Sequence, residues 1–426
     1  SASRSMRPSR ASSAGARTRA IRRWCPPLRP VPPRRRPDLH PRMLPQAAHS
    51  SRTPGDPAPR VLAVDAMRGL VILLMFLVNS AGNDPAFPSW FPHRGWNNGA
   101  MGLALADLVF PWFLFVVGVS VPLSMRSGRG ARRSTLARLI LAFKRALTIY
   151  LLGTLLWCAT IANNPQTPIT WRVILHWDIL PLIALGYLLA VSLELLSRWS
   201  HLAFVAIVLT LKWTSLTLAP HPDTHTVLWE QSRSFDHVVK ASLGWMGVLL
   251  TQGLPAAATC SLGALTSHAL FHPDSPPRRA AHVIIAGLVL ASLALLWHRS
   301  GNMPLSKDFF TSSYVLFSAG TGAATLAALW WVIDLRQFTR ATPLRMVGMN
   351  AIALYLVAEL LWKTVLMRWQ VVTPDAGVSA AFVAAKAWLQ HALGPFAGSW
   401  AVVISYLALY WALALALFRR NVFIRI

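Results

Sequence analysis

The chain is 426 residues long, and 54% of its residues are hydrophobic while only 13% are charged. Soluble proteins average about 45–50% apolar and about 25% charged residues, so this composition excludes an ordinary soluble domain and predicts an integral membrane protein. The net charge of +26 does not indicate a nucleic-acid partner, because a basic tail and the cytoplasmic loops of a membrane protein account for it.

The tail is residues 1–59, which are rich in Arg, Pro, Ser and Ala. Residues 1–60 hold fourteen arginines and two aspartates, a surplus of twelve positive charges. Such a segment cannot bury a core, and we expect it to be disordered. The chain does not begin with Met, and Met43 would make a natural start, so the native origin of residues 1–42 stays open. The predicted domains are this tail and a membrane domain, residues 60–426.

Ten apolar runs follow, and most reach the roughly 20 residues that a helix needs to cross a bilayer. They are continuously apolar rather than alternating, which is typical of helices and not of barrel strands. We therefore predict an all-α integral membrane protein, a polytopic bundle of about ten transmembrane helices. The predicted spans are 61–81, 102–124, 137–161, 177–197, 201–218, 244–271, 280–299, 312–333, 344–368 and 396–419.

The basic residues concentrate at alternate connections between these spans. Arg132, Arg133, Lys144 and Arg145 follow the second span, whereas the opposite connections carry isolated basic residues such as Lys307. By the positive-inside rule the first group lies in the cytoplasm. We therefore expect both termini to be cytoplasmic and the loop between the first two spans to lie outside.

The first two spans carry polar residues in or at their ends, where polar groups are costly and often functional, and they bracket a loop that holds one histidine. The strongest candidate is His93, whose imidazole can act as a general base or accept an acyl group itself. The alternative is an interfacial histidine in an aromatic belt. Asn79 can donate to an oxyanion or end the helix, and Asp107 can orient the imidazole or serve as an N-terminal carboxylate.

The segments VDAMRG (64–69), VN (78–79), HRGWN (93–97) and ADLVFPWF (106–113) follow in an order that resembles the transmembrane acyltransferases typified by heparan-alpha-glucosaminide N-acetyltransferase. The resemblance extends from about Arg60 to the C-terminus. It implies the shorter bacterial form, without the luminal domain, and it implies that His93 is the catalytic histidine. The later matching segments are LPAAATCSLGAL (254–265), TSSYVLFSAG (311–320) and PLRMVGMNAIALYL (343–356).

The expected acyl donor is acetyl-CoA, whose phosphates need basic partners on the cytoplasmic side. Arg68 could stand at the mouth of a channel that admits the donor; the alternative, an ion pair with Asp65 that anchors the helix, is slightly preferred. The predicted phosphate contacts are Arg132, Arg133, Lys144 and Arg145. Membrane topology requires positive charges there in any case.

The expected acceptor substrate is an amino sugar or glycan on the outer side. The predicted contacts lie in several segments: Trp96, Asn97, Asp178, Ser313 and Asn350. One departure from the family concerns this substrate. The segment HWDILPL (176–182) has Leu182 where the resembling proteins typically carry an arginine in GVLQR. The identity of the acceptor substrate is therefore open.

The leading interpretation is an acetyltransferase of the bacterial inner membrane that moves an acetyl group from cytosolic acetyl-CoA to an outer amino sugar. The alternative is a permease for N-acetylglucosamine or a related sugar. The three cysteines are widely spaced and no metal-ligand spacing occurs, so no metal is expected. The other expected partner is the lipid bilayer, and a homodimer is left open.

Overall fold

A computed structural model describes residues 61–93, 103–161, 175–218, 234–271, 277–301, 303–373 and 377–424. The predicted tail, and the predicted contacts at Trp96 and Asn97, lie outside these residues. Within them, nine helices are long and apolar enough to cross a membrane, and a bent helix pair brings the number to ten. The prediction of an all-α polytopic bundle is confirmed.

The helices follow the predicted spans within a few residues, because apolar length alone decides where a spanning helix begins and ends. Short helices and π-helical turns interrupt or extend them. The elements are α1 (Leu62–Ala81), α2 (Leu105–Arg126), α3 (Gly128–Ala131), α4 (Thr135–Ile161), α5 (Ile179–Leu196), α6 (Arg198–Thr217), α7 (Phe235–Leu243), α8 (Trp245–Val248), a π turn (Leu249–Gly253), α9 (Leu254–Leu270), α10 (Arg278–Arg299), α11 (Ser312–Trp330), a π turn (Trp331–Leu335), a 3-10 turn (Thr339–Ala341), α12 (Thr342–Met349), α13 (Ala351–Leu361), a π turn (Trp362–Leu366), β1 (Gln370–Thr373), β2 (Gly377–Ala380), α14 (Ala381–Leu393) and α15 (Pro395–Arg419).

The centre of the bundle is formed by α1, α2 and α9. About 56% of the apolar window of α1 and of α2 is buried in the protein, against 22% for α10, so α10 faces outward. Small residues let the central helices touch, as is usual in membrane bundles. A Cβ atom on Gly118 of α2 would lie 1.8 Å from the carbonyl oxygen of Cys260 in α9. Only glycine fits at this crossing.

The ninth span is broken, which the sequence did not reveal. The axes of α12 and of the helix that follows it (351–366) meet at 73°. Asn350 lies at the break, where its Nδ2 donates to the Val422 carbonyl (3.0 Å) and its Oδ1 accepts from the Ile424 N–H (2.9 Å). A side chain thus supplies polar partners where the helix is interrupted and ties the chain end to the bundle.

A two-stranded antiparallel hairpin, β1 and β2, lies between the broken span and α14, with Gln370 paired with Ala380 and Thr373 with Gly377. Asp84, which follows α1, binds Lys386 of α14 and Ser399 of α15. The end of α1, the start of α2 and α14 therefore share one face of the bundle, called here the His93 face. The opposite face, where α2 ends, is called the Arg126 face.

Candidate active site

Asp107 is held at the first turn of α2. Its Oδ2 accepts a hydrogen bond from the backbone N–H of Ala104 (3.0 Å), the residue that precedes the helix. An acidic side chain that caps its own helix in this way also interacts favourably with the positive end of the helix dipole. Asp107 is only 1% exposed. Its carboxylate is therefore fixed in orientation, with Oδ1 available to another group.

That other group is His93. Its Nδ1 lies 2.8 Å from Asp107 Oδ1, and its side chain is 49% exposed. A carboxylate can only accept, so the contact assigns a proton to Nδ1 and leaves Nε2 as the nitrogen that can take up a proton. A buried carboxylate that orients an imidazole is the arrangement of hydrolytic triads. The predicted pairing of His93 with Asp107 is present.

The loop before His93 is held against α2 and α15. The N–H groups of Leu105 and Ala106 donate to the carbonyls of Trp90 (2.7 Å) and Phe91 (3.2 Å). The Phe91 ring also stacks on Phe87 and packs edge-on against Trp400 of α15. Phe91 is two residues from the histidine, so these contacts limit where the imidazole can lie.

A cavity of about 50 Å³ opens beside the imidazole, between α1, α2, α5 and α13. This volume has room for one or two water molecules. Its walls are mostly apolar, with few polar groups, as is common in ligand sites. Asn79, in the last turn of α1, is exposed to it. The polar or titratable residues of the lining are Asn79, His93, Lys307 and Tyr355.

Lys307 also belongs to this site, although the sequence marks it only as an isolated basic residue. Its Nζ lies 3.3 Å from His93 Nδ1. Burial lowers the pKa of Lys307, and this effect is partly opposed by the nearby carboxylates of Asp107, Asp308 and Asp178. Its one signal in the sequence was its position just ahead of the matching segment 311–320.

Asp178 is brought to the same region. It precedes α5, and the next two residues, Ile179 and Leu180, line the cavity. Its charge acts on Lys307 and on His176. The His176 ring stacks on Trp157 with 3.5 Å between centroids, and burial lowers the pKa of His176. Leu182, at the departure from the family, is buried in the core.

Two of the predicted contacts with the acceptor substrate do not line the cavity. Ser313 is fully buried, and its hydroxyl donates to the Pro304 carbonyl (3.0 Å). Asn350 binds the chain end, as described above. Both side chains have structural partners here, and their contact with a substrate stays a prediction.

The predicted donor contacts lie toward the Arg126 face. Arg68 binds Asp65 Oδ1 (3.3 Å) and the Ser120 hydroxyl. Arg132 and Arg133 lie in the connection before α4 and have exposed side chains. Within α4, the Lys144 side chain is exposed and that of Arg145 is half-buried. Their contact with acetyl-CoA also stays a prediction.

A polar cluster that the sequence did not predict lies at the Arg126 face. Glu194 Oε2 accepts from His268 Nε2 (2.8 Å) and His201 Nε2 (3.2 Å), and Arg126 contacts His268 Nδ1. The four residues come from α2, α5, α6 and α9, so no local motif marks them. Within the part of the chain that the structure describes, no group of three or more His, Cys, Asp or Glu residues is arranged to hold a metal ion.

Known proteins of similar sequence belong to one family. The family model described as heparan-alpha-glucosaminide N-acetyltransferase, catalytic, matches residues 60–287. The chain is 26% identical over 379 residues to the human protein named heparan-alpha-glucosaminide N-acetyltransferase, covering 73% of this chain and 54% of the relative. It is 25% identical over 399 residues to the mouse protein of that name, covering 76% and 57%. The chain thus spans about half the length of these relatives.

The family match covers more than half of the chain and includes Asn79, His93 and Asp107. The chain belongs to the heparan-alpha-glucosaminide N-acetyltransferase family.

Proposed function

We propose that this protein is a membrane acetyltransferase that transfers the acetyl group of acetyl-CoA to the amine of an amino sugar or glycan. One observation carries the proposal, the 2.8 Å contact that leaves His93 Nε2 as a base beside a cavity. The family and the names of its relatives support the same chemistry. The protein crosses the membrane several times, and we propose that it lies in the bacterial inner membrane.

In the proposed reaction His93 Nε2 accepts a proton from the acceptor amine as the nitrogen attacks the acetyl carbonyl carbon. The carbon–sulfur bond then breaks, and the thiolate of CoA takes the proton from the imidazolium. Asp107 stabilises the imidazolium through Nδ1, as the carboxylate of a triad does. The Asn79 amide donates to the oxyanion that forms on the carbonyl oxygen.

The acceptor substrate is proposed to approach from the His93 face and to contact Trp96, Asn97 and Asp178. A carboxylate suits a sugar that carries hydroxyl and amine groups, because it accepts hydrogen bonds from both. Asp178 lies next to the position where Leu182 replaces the family's arginine. This exchange changes the local charge and supports an acceptor different from heparan sulfate.

A sugar permease is the second candidate, and the broken span favours it. Transporters often build their sites at interrupted membrane helices near the bilayer midplane. The break at Asn350 interrupts a predicted span, and Ile352 and Tyr355 just beyond it line the cavity. A permease, however, has no need for an oriented imidazole.

The test is incubation of the purified protein with acetyl-labelled acetyl-CoA and a panel of amino sugars. We expect labelled N-acetyl sugar, and a fall of about 10²–10⁴-fold in rate for His93→Ala. His391→Ala, an exposed histidine of α14, is the matched control and should keep its activity. Sugar uptake into proteoliposomes without acetyl-CoA, together with no labelled product, would establish the permease instead. Label trapped on His93 in the absence of sugar would mark an acyl-histidine route.

A further inference from the structure

We infer that Lys307 is a positioning residue whose positive charge opposes that of the Asp107 carboxylate at His93 Nδ1. The inference rests on the proposed function, in which a neutral His93 is the general base. Lys307 acts through the charge that it places beside His93 Nδ1, and it also lines the cavity. Lys307 lies outside the sequence motifs that contain Asn79, His93 and Asp107.

Two opposite charges meet at one ring nitrogen, His93 Nδ1. Asp107 Oδ1 is 2.8 Å and Lys307 Nζ is 3.3 Å from His93 Nδ1. A carboxylate alone favours the imidazolium, which has no lone pair left to accept a proton. A cation at the same nitrogen disfavours the imidazolium by the same Coulomb effect. Since the Nδ1 proton points to Asp107, Lys307 acts there through its charge and not as a donor to that nitrogen.

The backbone of Lys307 is held in a hydrogen-bonded turn. Its carbonyl accepts from the Phe310 N–H (3.1 Å), and the Ser306 carbonyl accepts from the Thr311 N–H (3.2 Å). Phe310 and Phe309 are buried, and Phe310 has a φ of 49°, an uncommon value for a bulky residue. Such a backbone persists only where its surroundings hold it. The turn therefore presents Lys307 to His93 in a defined way.

Several charged and titratable groups surround His93 and Lys307. Asp107 of α2, Asp178 before α5 and Asp308 all act on Lys307. Tyr314 of α11 and Tyr355 of α13 also face this region. Burial lowers the pKa of Lys307, while the three carboxylates favour its ammonium form. Among the residues that the structure describes, Lys307 places a cation beside the ring nitrogen that also faces the carboxylate of Asp107.

The test compares Lys307→Met, Lys307→Gln and Lys307→Arg with the native chain. Lys386→Met, which removes an ion-paired lysine of the His93 face, is the matched control. Two readouts are followed against pH: the rate of acetyl transfer, and the carbethoxylation of His93 by diethyl pyrocarbonate, mapped by mass spectrometry. This reagent attacks the neutral imidazole.

We expect Lys307→Met and Lys307→Gln to move both pH dependences of His93 reactivity upward by about one pH unit. Lys307→Arg keeps the charge and should behave as the native chain, as should Lys386→Met. Unchanged pH dependences in both neutral variants would overturn the inference, whether or not the rate falls. A carbethoxylation shift in a chain that transfers no acetyl group would uphold the charge effect and reject the proposed function.

Discussion

The Tyr314 hydroxyl donates a hydrogen bond to the backbone carbonyl of Asp107, which joins α11 to the first turn of α2. The carbonyl of Asp107 would normally accept from the N–H four residues on, but that residue is Pro111 and has no N–H. Tyr314 is fully buried. A tyrosine from a distant span thus completes the helix at the residue that orients His93.

Removing this hydroxyl should weaken both the fold and the reaction. We expect Tyr314→Phe to lower the free energy of unfolding by about 1–3 kcal/mol, because a buried carbonyl loses its partner. Acetyl transfer should fall as well, since Asp107 is less well held. Pro111→Ala restores an N–H at the fourth position, so the double variant should regain part of the stability. Thermal unfolding in detergent is the measurement, and no recovery in the double variant would contradict this explanation.

Asp84 gives a stability that depends on pH. Burial by itself would raise the pKa of Asp84, but hydrogen bonds from Lys386, Ser399 and the Ala86 N–H together lower it below the usual value. A lowered pKa in the folded state stabilises the protein above the unfolded-state pKa of about 3.9 and less as the pH falls through the folded value. We therefore expect Asp84→Asn to be less stable than the native chain at pH 6, with a smaller difference near pH 3. Melting temperatures at both pH values test this, and a constant difference would refute it.

The polar cluster at the Arg126 face is expected to stabilise the fold through its hydrogen bonds. Glu194→Leu removes the shared acceptor of His201 and His268, and the His201 side chain is completely buried. We expect a loss of about 1–3 kcal/mol in unfolding free energy, since a buried donor is left without its partner. Glu359→Leu breaks a partly exposed pair with Lys363 (3.5 Å) and should cost less. Equal losses in the two variants would show that the cluster has no special weight.

The loop charges predict which membrane face each substrate uses. In sealed vesicles of known orientation, acetyl-CoA should work only from the Arg126 face and the amino sugar only from the His93 face. Arg132→Gln with Arg133→Gln should raise KM for acetyl-CoA more than KM for the sugar, because the arginines are proposed to meet its phosphates. Arg278→Gln with Arg279→Gln changes another connection of that face and is the control. Activity with both substrates on the His93 face alone would reject the route across the membrane.

The sequence by itself determined the spans and the chemical candidates. An apolar run long enough to cross a bilayer is a local property, so α1 and α2 could be placed within a few residues. Asp107 stood out because a carboxylate at membrane depth is costly to keep, and His93 because it is a histidine in the loop before that span. Their pairing could be expected because they flank one short loop.

Only the tertiary structure decided which distant residues complete the site. Lys307 is 214 residues from His93 along the chain, and Tyr314 is 207 from Asp107. A spanning helix is apolar on all sides, so its sequence does not mark which face meets the protein and which meets lipid. The break at Asn350 has the same cause, since its polar partners, Val422 and Ile424, come from the far end of the chain. Contacts of this kind depend on how the helices pack, which no local pattern in this sequence records.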